Sequence, residues 1–495
     1  MTGAATVALG GPLGAVEGRV HIPDYDRGRL RAGIAHFGVG GFHRAHQAMY
    51  LDRLMSAGEA GDWAICGVGV MPADRRMRDA LRAQDHLYTL VEKHSDGTWD
   101  ARVIGSIVDY LYAPDDPEAV IERLADQAIR IVSLTVTEGG YSLDEVTGEF
   151  DPTTPEVARD LEPDAVPGST FGLVCEALAR RRARGVGPFT IASCDNLQGN
   201  GTLARRAFES FAALRDPALG EWIAREVPFP SSMVDRITPA TTDEDRREVG
   251  ERFGLEDRWP VLCEPFAQWA LEDAFCCGRP AYEQVGVQVV DDVEPYELMK
   301  LRLVNCSHQG LCYFARLCGY ELVDKATADP LFERFLRDYM DHEATPTLPP
   351  VPGVDLEAYK DTLIERLRNP EIRDTVARLA AEGSDRLPKW LLPVVRAQLA
   401  AGRPVDRAAA IVAAWARYAE GLDEQGQPIE VVDRRRERLM ELAGRNRNEP
   451  LAFLSNRELF GDLADQEAFV EPYRWALRTL HERGARATLE SLVSR

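Results

Sequence analysis

Lys300, Asn305 and His308 stand at the spacing K-x-x-x-x-N-x-x-H within DVEPYELMKLRLVNCSHQGL. An amine that can hold or yield a proton, an amide that can donate and an imidazole together suit removal of a proton from an alcohol. The segment predicts one helix from Pro295 to Cys318, turning about 100° and rising about 1.5 Å per residue. With Lys300 at zero, Glu297 falls at about 60°, His308 at about 80° and Asn305 at about 140°. Four polar groups then share less than half the circumference, and Lys300 and His308 lie about 12 Å apart along the axis. The plainer alternative is a solvated Glu297–Lys300 pair, since i, i+3 pairs are common on helix surfaces. Leu298, Met299, Leu301, Leu303, Val304, Leu311 and Phe314 argue against it, because a helix apolar nearly all round is buried. Buried lysines lose basicity through desolvation, which moves an amine toward the range where a general base works.

The rest of the chain must position this segment. From about residue 30 to 290, strand-like and helix-like stretches alternate. IAHFGVG, WAICGVGV, IRIVSLTVTE and FTIASCDN read as buried strands, with helices in PADRRMRDALRAQ, PEAVIERLADQA and Thr170 to Arg184 between them. That alternation predicts a largely parallel α/β sheet, which binds ligands beyond the carboxyl ends of its strands. HLYTLVEK and TWDARVIGSIVDYLYA read as antiparallel additions to it. After about residue 290 helical patterns dominate: Pro330 to Met340, Leu356 to Arg368, Pro370 to Glu382, Leu391 to Ala401, Arg407 to Glu420 and Gln466 to His481. TPTLPPVPG is a loop between them. The division expected is 1–290, Rossmann-type and NAD-binding with antiparallel additions, and 291–495, mostly helical and substrate-binding.

Composition narrows the class. A chain of 495 residues exceeds one ordinary core, and 45% apolar with 28% charged residues is ordinary for a soluble globular protein. A net charge of −22 disfavours nucleic acid and anionic membranes as partners. The apolar run Ala408 to Ala416 is far short of the roughly 20 residues that span a bilayer. MTGAATVALGGPLGAVEGRV lacks the basic start of a signal peptide. The nine cysteines form no CxxC pair and are odd in number, so they read as small core residues in a reducing cytoplasm rather than as disulfides or a zinc site.

HFGVGGFHRAH carries Gly38 and Gly40 at the end of the first strand, the opening of a G-x-G-x-x-G dinucleotide fingerprint. The third position is His43, so the match is incomplete and the helix is expected to pack less closely on the sheet. Phe42 and Arg44 join the cofactor-binding expectation, Arg44 as a counter-charge to phosphate. Asp74, just beyond the second strand, could accept from adenosine ribose hydroxyls and so favour NAD over NADP. Arg75 and Arg76 leave NADP open, and a helix-start aspartate meeting the dipole is the plainer alternative.

Taken together, GVGGFHRAHQAMYLDRL, SLTVTEGGY, ASCDNLQGNG, FPSSMVDRITPATT, EPFAQWALED and KLRLVNCSH closely resemble the polyol-specific long-chain dehydrogenase/reductase family, the mannitol 2-dehydrogenase family. The likeness runs through nearly the whole chain. It implies a Rossmann-type N-terminal domain, a mostly α-helical C-terminal domain and a metal-free active site between them. By position, Lys300 resembles the general base, Asn196 and Asn305 the amides on the reacting oxygen, and Glu297 a carboxylate relaying the proton. His308, Asp235 and Arg378 resemble substrate ligands, with Arg386 and Lys389 as further contacts. Each has a plainer alternative: a loop cap for Asn196, pairing with Arg236 for Asp235, a core histidine for His308.

The resemblance implies NAD(H)-dependent interconversion of D-mannitol and D-fructose. A fructuronate or tagaturonate reductase, whose substrate adds a carboxylate for Arg378, Arg386 or Lys389, and an arabinitol dehydrogenase are the family alternatives. A non-catalytic NAD(H)-binding regulator is the alternative of another class. A small polyol or ketose is the expected partner, and no assembly segment argues against a monomer.

Overall fold

Two compact units divide at Val293/Glu294 in the computed structural model, which describes residues 6–144 and 148–494. The first five residues of the N-terminal stretch lie outside the described residues.

The first unit is built on five parallel strands: β1 (Ala32–Phe37), β2 (Ala64–Gly69), β5 (Ile107–Tyr112), β6 (Ile131–Leu134) and β7 (Thr190–Ser193). Their order is β5-β2-β1-β6-β7, with Phe37 paired to Val68 on one side and Leu134 on the other. The chain runs outward from β1 through β2 to β5, then restarts at β6 and runs the other way. The reversal leaves a crevice at the carboxyl ends of β1 and β6, where open α/β sheets bind ligands. Every residue of β2, β6 and β7 is buried, as a sheet covered by helices on both faces requires.

The antiparallel reading needs correction. β3 (Tyr88–Lys93) and β4 (Trp99–Ile104) do pair antiparallel, but in a separate sheet ordered β9-β3-β4, with β9 at Val261–Cys263. β5 joins the main sheet in parallel. A third small sheet sets β8 (Ser232–Asp235) antiparallel to β10 (Gln268–Glu272).

The second unit is helical and packs around α13 (Asp406–Tyr418). Residues Ala408 to Ala416 are all buried, so the apolar run is a central helix. Its small side chains lie against α14 (Glu467–Val493), which breaks at Gly484 (φ 86°). No described helix is long and apolar enough to cross a membrane.

Three helical expectations change. The lysine segment is not one α-helix: α7 (Glu294–Met299) passes into a π turn, Lys300–Asn305, and then into α8 (Cys306–Leu317). Helix Pro370 to Glu382 shrinks to α11 (Val376–Ala380), because Arg373 takes a left-handed φ of 53° and Thr375 bridges to Leu322 before capping the Arg378 amide. Helix Leu391 to Ala401 begins earlier, as α12 (Gly383–Ala400). Cys276 and Cys277 are exposed and Cys318 partly so, against the expectation that all nine cysteines are core residues; the other six are buried.

Candidate functional site

In the first unit, Gly38 ends β1 with φ 89°, and a Cβ there would lie 2.1 Å from the Thr135 carbonyl oxygen. The fold itself therefore demands glycine at 38. Gly40 and Gly41 differ. A Cβ on Gly40 would meet only the Gly38 carbonyl at 3.8 Å, and one on Gly41 only the Thr238 methyl at 3.5 Å. Gly40 has an ordinary φ of −90°. Among the described residues only these ordinary contacts approach the two glycines, which fits close backbone approach by a diphosphate.

A buried polar network supports the turn from below. His36 Nδ1 lies 2.8 Å from Ser133 Oγ and its Nε2 3.0 Å from Thr135 Oγ1, while the Thr135 hydroxyl donates to the Gly38 carbonyl at 2.6 Å. Burial pushes the His36 imidazole down to about 3, keeping it neutral. His43, at the third fingerprint position, stacks on His36 at 3.4 Å. Its helix, α1 (Gly41–Ala45), ends at His46, and the chain restarts as α2 (Gln47–Ser56). Arg44 is fully buried and donates to the carbonyls of Gly40 and Trp259. Desolvation lowers its guanidinium to about 10. Arg44 thus braces the turn from inside through Nε and Nη1, while its Nη2 has no hydrogen-bond partner among the described residues. Phe42 is half-buried and stacks on His46 at 4.8 Å.

Asp74 opens α3 (Asp74–Arg82), and its Oδ2 accepts the amides of Val70 and Met71, each at 2.9 Å. One carboxylate oxygen thus shapes the loop after β2, and Oδ1 has no protein hydrogen bond among the described residues.

Beyond β7, Asn196 is exposed and Asp195 is buried beneath it. Asp195 accepts the Thr137 amide at 2.8 Å and the Tyr141 hydroxyl at 2.7 Å. Burial raises its carboxyl above the usual range, against those bonds. Thr137, a β-branched residue at φ 66°, is strained, and the Asp195 bond holds it there. Asn200, the first residue of α6 (Asn200–Arg215), is fully buried. It donates to the carbonyls of Asp195 at 2.9 Å and Ser232 at 2.7 Å, and accepts the Ser232 amide at 2.9 Å. One amide side chain therefore staples the Asn196 loop to the start of β8, which carries Asp235 at its other end. Asp235 is buried, while neighbouring Arg236 forms its ion pair with Glu92 at 2.5 Å. Sequence reasoning passed over Asn200 and Asp195. The available signal was the asparagine placed between two glycines where a strand turns into a helix.

In the second unit Glu297, Lys300 and Asn305 are buried and His308 is half-buried, all on one continuous helical segment. The π turn changes their angular relation. Closing i→i+5 bonds lowers the rotation per residue, so Asn305 stands roughly 50–70° from Lys300 instead of about 140°. The widened turn thus draws the carboxamide toward the amine's side. Arg378 is exposed and forms a two-pronged pair with Asp374 at 2.5 and 2.6 Å, which raises its pKa. Arg386 donates to the carbonyls of Arg378 and Leu379, and Lys389 pairs with Asp385 at 2.8 Å. Among the described residues no three His, Cys, Asp or Glu side chains gather as a metal site.

Known proteins resemble the chain along its length. Residues 32–284 match the mannitol dehydrogenase Rossmann domain and residues 292–481 the mannitol dehydrogenase C-terminal domain. Mannitol 2-dehydrogenase of Aspergillus fumigatus is 46% identical over 494 residues, covering 98% of this chain and 97% of that protein. The solved Pseudomonas fluorescens mannitol 2-dehydrogenase, a ternary complex with NAD and D-mannitol, is 45% identical, with a TM-score of 0.87 over 99% of this chain and 100% of that one. A D-sorbitol dehydrogenase solved without substrate is 38% identical, with a TM-score of 0.89 over 98% and 100%. With a Rossmann-type first unit, a helical second unit and both family domains matched, the chain belongs to the mannitol dehydrogenase family.

Proposed function

We propose that this chain is an NAD-dependent polyol dehydrogenase that interconverts D-mannitol and D-fructose, with Lys300 as general base and acid. One observation carries the reading. The chain is 45% identical, end to end, to an enzyme solved with NAD and D-mannitol, and its own K-x-x-x-x-N-x-x-H lies on a buried turn. The glycine turn at the β1/β6 crevice, with its open flank at Gly40 and Gly41, fits a dinucleotide. NAD, when bound, supplies the acceptor or donor of hydride.

The chain's own residues handle the proton. In oxidation Lys300 in its neutral form takes the proton of the reacting hydroxyl, and in reduction its ammonium returns one. Asn305, drawn toward the amine by the π turn, donates to the reacting oxygen and stabilises its alkoxide character. The family resemblance assigns Asn196 to the same oxygen, His308 and Asp235 to neighbouring hydroxyls, and Glu297 to proton relay. A uronate would need a cation for its carboxylate, and Arg378, Arg386 and Lys389 are already held by Asp374, backbone carbonyls and Asp385. That favours an uncharged polyol. The likeness to a D-sorbitol dehydrogenase supports sorbitol as a second reading.

The test is NADH-linked turnover across mannitol, arabinitol, sorbitol, fructose, fructuronate and tagaturonate, before and after exhaustive chelation. Mannitol and fructose are expected to show the highest kcat/KM, unchanged by chelation. Turnover confined to the uronates would overturn the substrate, loss on chelation the metal-independent chemistry, and no turnover at all the enzyme reading.

A further inference from the structure

The π turn at Lys300 requires a partner, because widening a helix strands a carbonyl. In an α-helix the Arg302 carbonyl would receive the Cys306 amide. Here that amide turns to the carbonyls of Leu301 and Leu303. The Arg302 carbonyl meets the hydroxyl of Tyr339, 3.4 Å away at the end of α9 (Pro330–Tyr339), and the same hydroxyl also bonds the Cys306 thiol across the turn. Tyr339 is fully buried, so no water competes for this carbonyl from its side. The Arg302 side chain makes a second tie, donating to the Thr347 carbonyl. Both partners flank another π turn, Met340–Ala344, which packs against the first.

We infer that Tyr339 is a positioning residue for the reaction: by satisfying the Arg302 carbonyl it holds the widened turn that brings Asn305 round toward Lys300. The inference rests on the function proposed above. Without the hydroxyl the part-buried Arg302 carbonyl loses this partner, a cost for a backbone group shielded from water. The nearest remedy is for the Cys306 amide to return to it. The turn then becomes α-helical, and Asn305 swings away from Lys300 to the wider angle of a regular helix. An amine that loses a carboxamide beside the oxygen it shares transfers its proton from a poorer geometry.

Tyr339→Phe removes only the hydroxyl and keeps the ring, so it isolates the bond. Mannitol-dependent kcat is expected to fall roughly ten- to hundredfold, as small misplacements in an active site do. NADH binding should be unchanged, and the acid limb of the kcat/KM pH profile should move. A crystal structure of the variant should show the Cys306 amide on the Arg302 carbonyl. A variant that loses only thermal stability, with kcat, pH profile and π turn intact, would overturn the inference. Should Tyr339→Phe not fold, 3-fluorotyrosine placed at 339 keeps the ring and strengthens the donor, and an unmoved pH profile there overturns it equally. Lys300→Ala separates the two layers. If that variant keeps near-normal turnover, the proposed function fails. If it is inactive while Tyr339→Phe behaves as wild type, only the role of Tyr339 fails.

Discussion

The glycine turn of the first unit and the lysine segment of the second hold their chemistry in place by opposite means. Around Gly38 the backbone is irregular, and each exposed demand is met locally by a short side chain: Thr135 on the Gly38 carbonyl, Asp195 on the Thr137 amide, Asn200 on Asp195 and Ser232. Around Lys300 the backbone is helical throughout, and its one irregularity is met from another helix, by Tyr339. The first region should therefore fail piece by piece when single bonds are removed. The second should fail as a register, all its polar groups turning together.

The strongest way to break the comparison lies in the second unit. Lys300→Ala should lower turnover by about 10²–10⁴, the range for losing a general base, while NADH still binds by fluorescence titration. Near-normal rates would remove Lys300 from the chemistry. Next comes Asn200→Ala in the first unit, which strands the buried Ser232 amide and the carbonyls of Asp195 and Ser232. A loss of about 1–3 kcal/mol is expected in denaturant unfolding, together with a raised KM as the loop of Asn196 loosens. An unaltered unfolding midpoint would show that the staple carries no load. The smallest effect is expected for Asp74→Asn, which keeps an acceptor for the Val70 and Met71 amides and removes the charge. The ratio of kcat/KM for NAD over NADP should fall about tenfold at most, on the order of one charge-assisted hydrogen bond. An unchanged ratio with intact stability would leave Asp74 as a loop residue only.

These contrasts also explain what could be read from the sequence. Gly38 and Gly40 were legible because a strand, a glycine turn and a helix are local and their backbone demands fall on the residues themselves. His43 was visible as a departure from the fingerprint, but its stacking on His36 needed the fold. The tie from Arg44 to the carbonyl of Trp259 was not legible, because nothing nearby in sequence announces a partner 215 residues away. The helical face at Lys300 was legible in kind and wrong in angle. Periodicity assumes one rotation per residue, and the widened turn depends on a hydroxyl 37 residues on. The strand pairs after His86 alternated as expected, yet the alternation does not say which sheet a strand joins.

A rod covered on every side has no spare flank on which to absorb change. The stretch Ala408 to Ala416 offers mostly single methyls to its surroundings, and those methyls set how near α14 can lie. An added methylene there would push a neighbour instead of filling a gap. The frame that carries Lys300 is held to its dimensions by what its axis lacks in bulk, so tolerance to substitution in this unit should be sought at its rim.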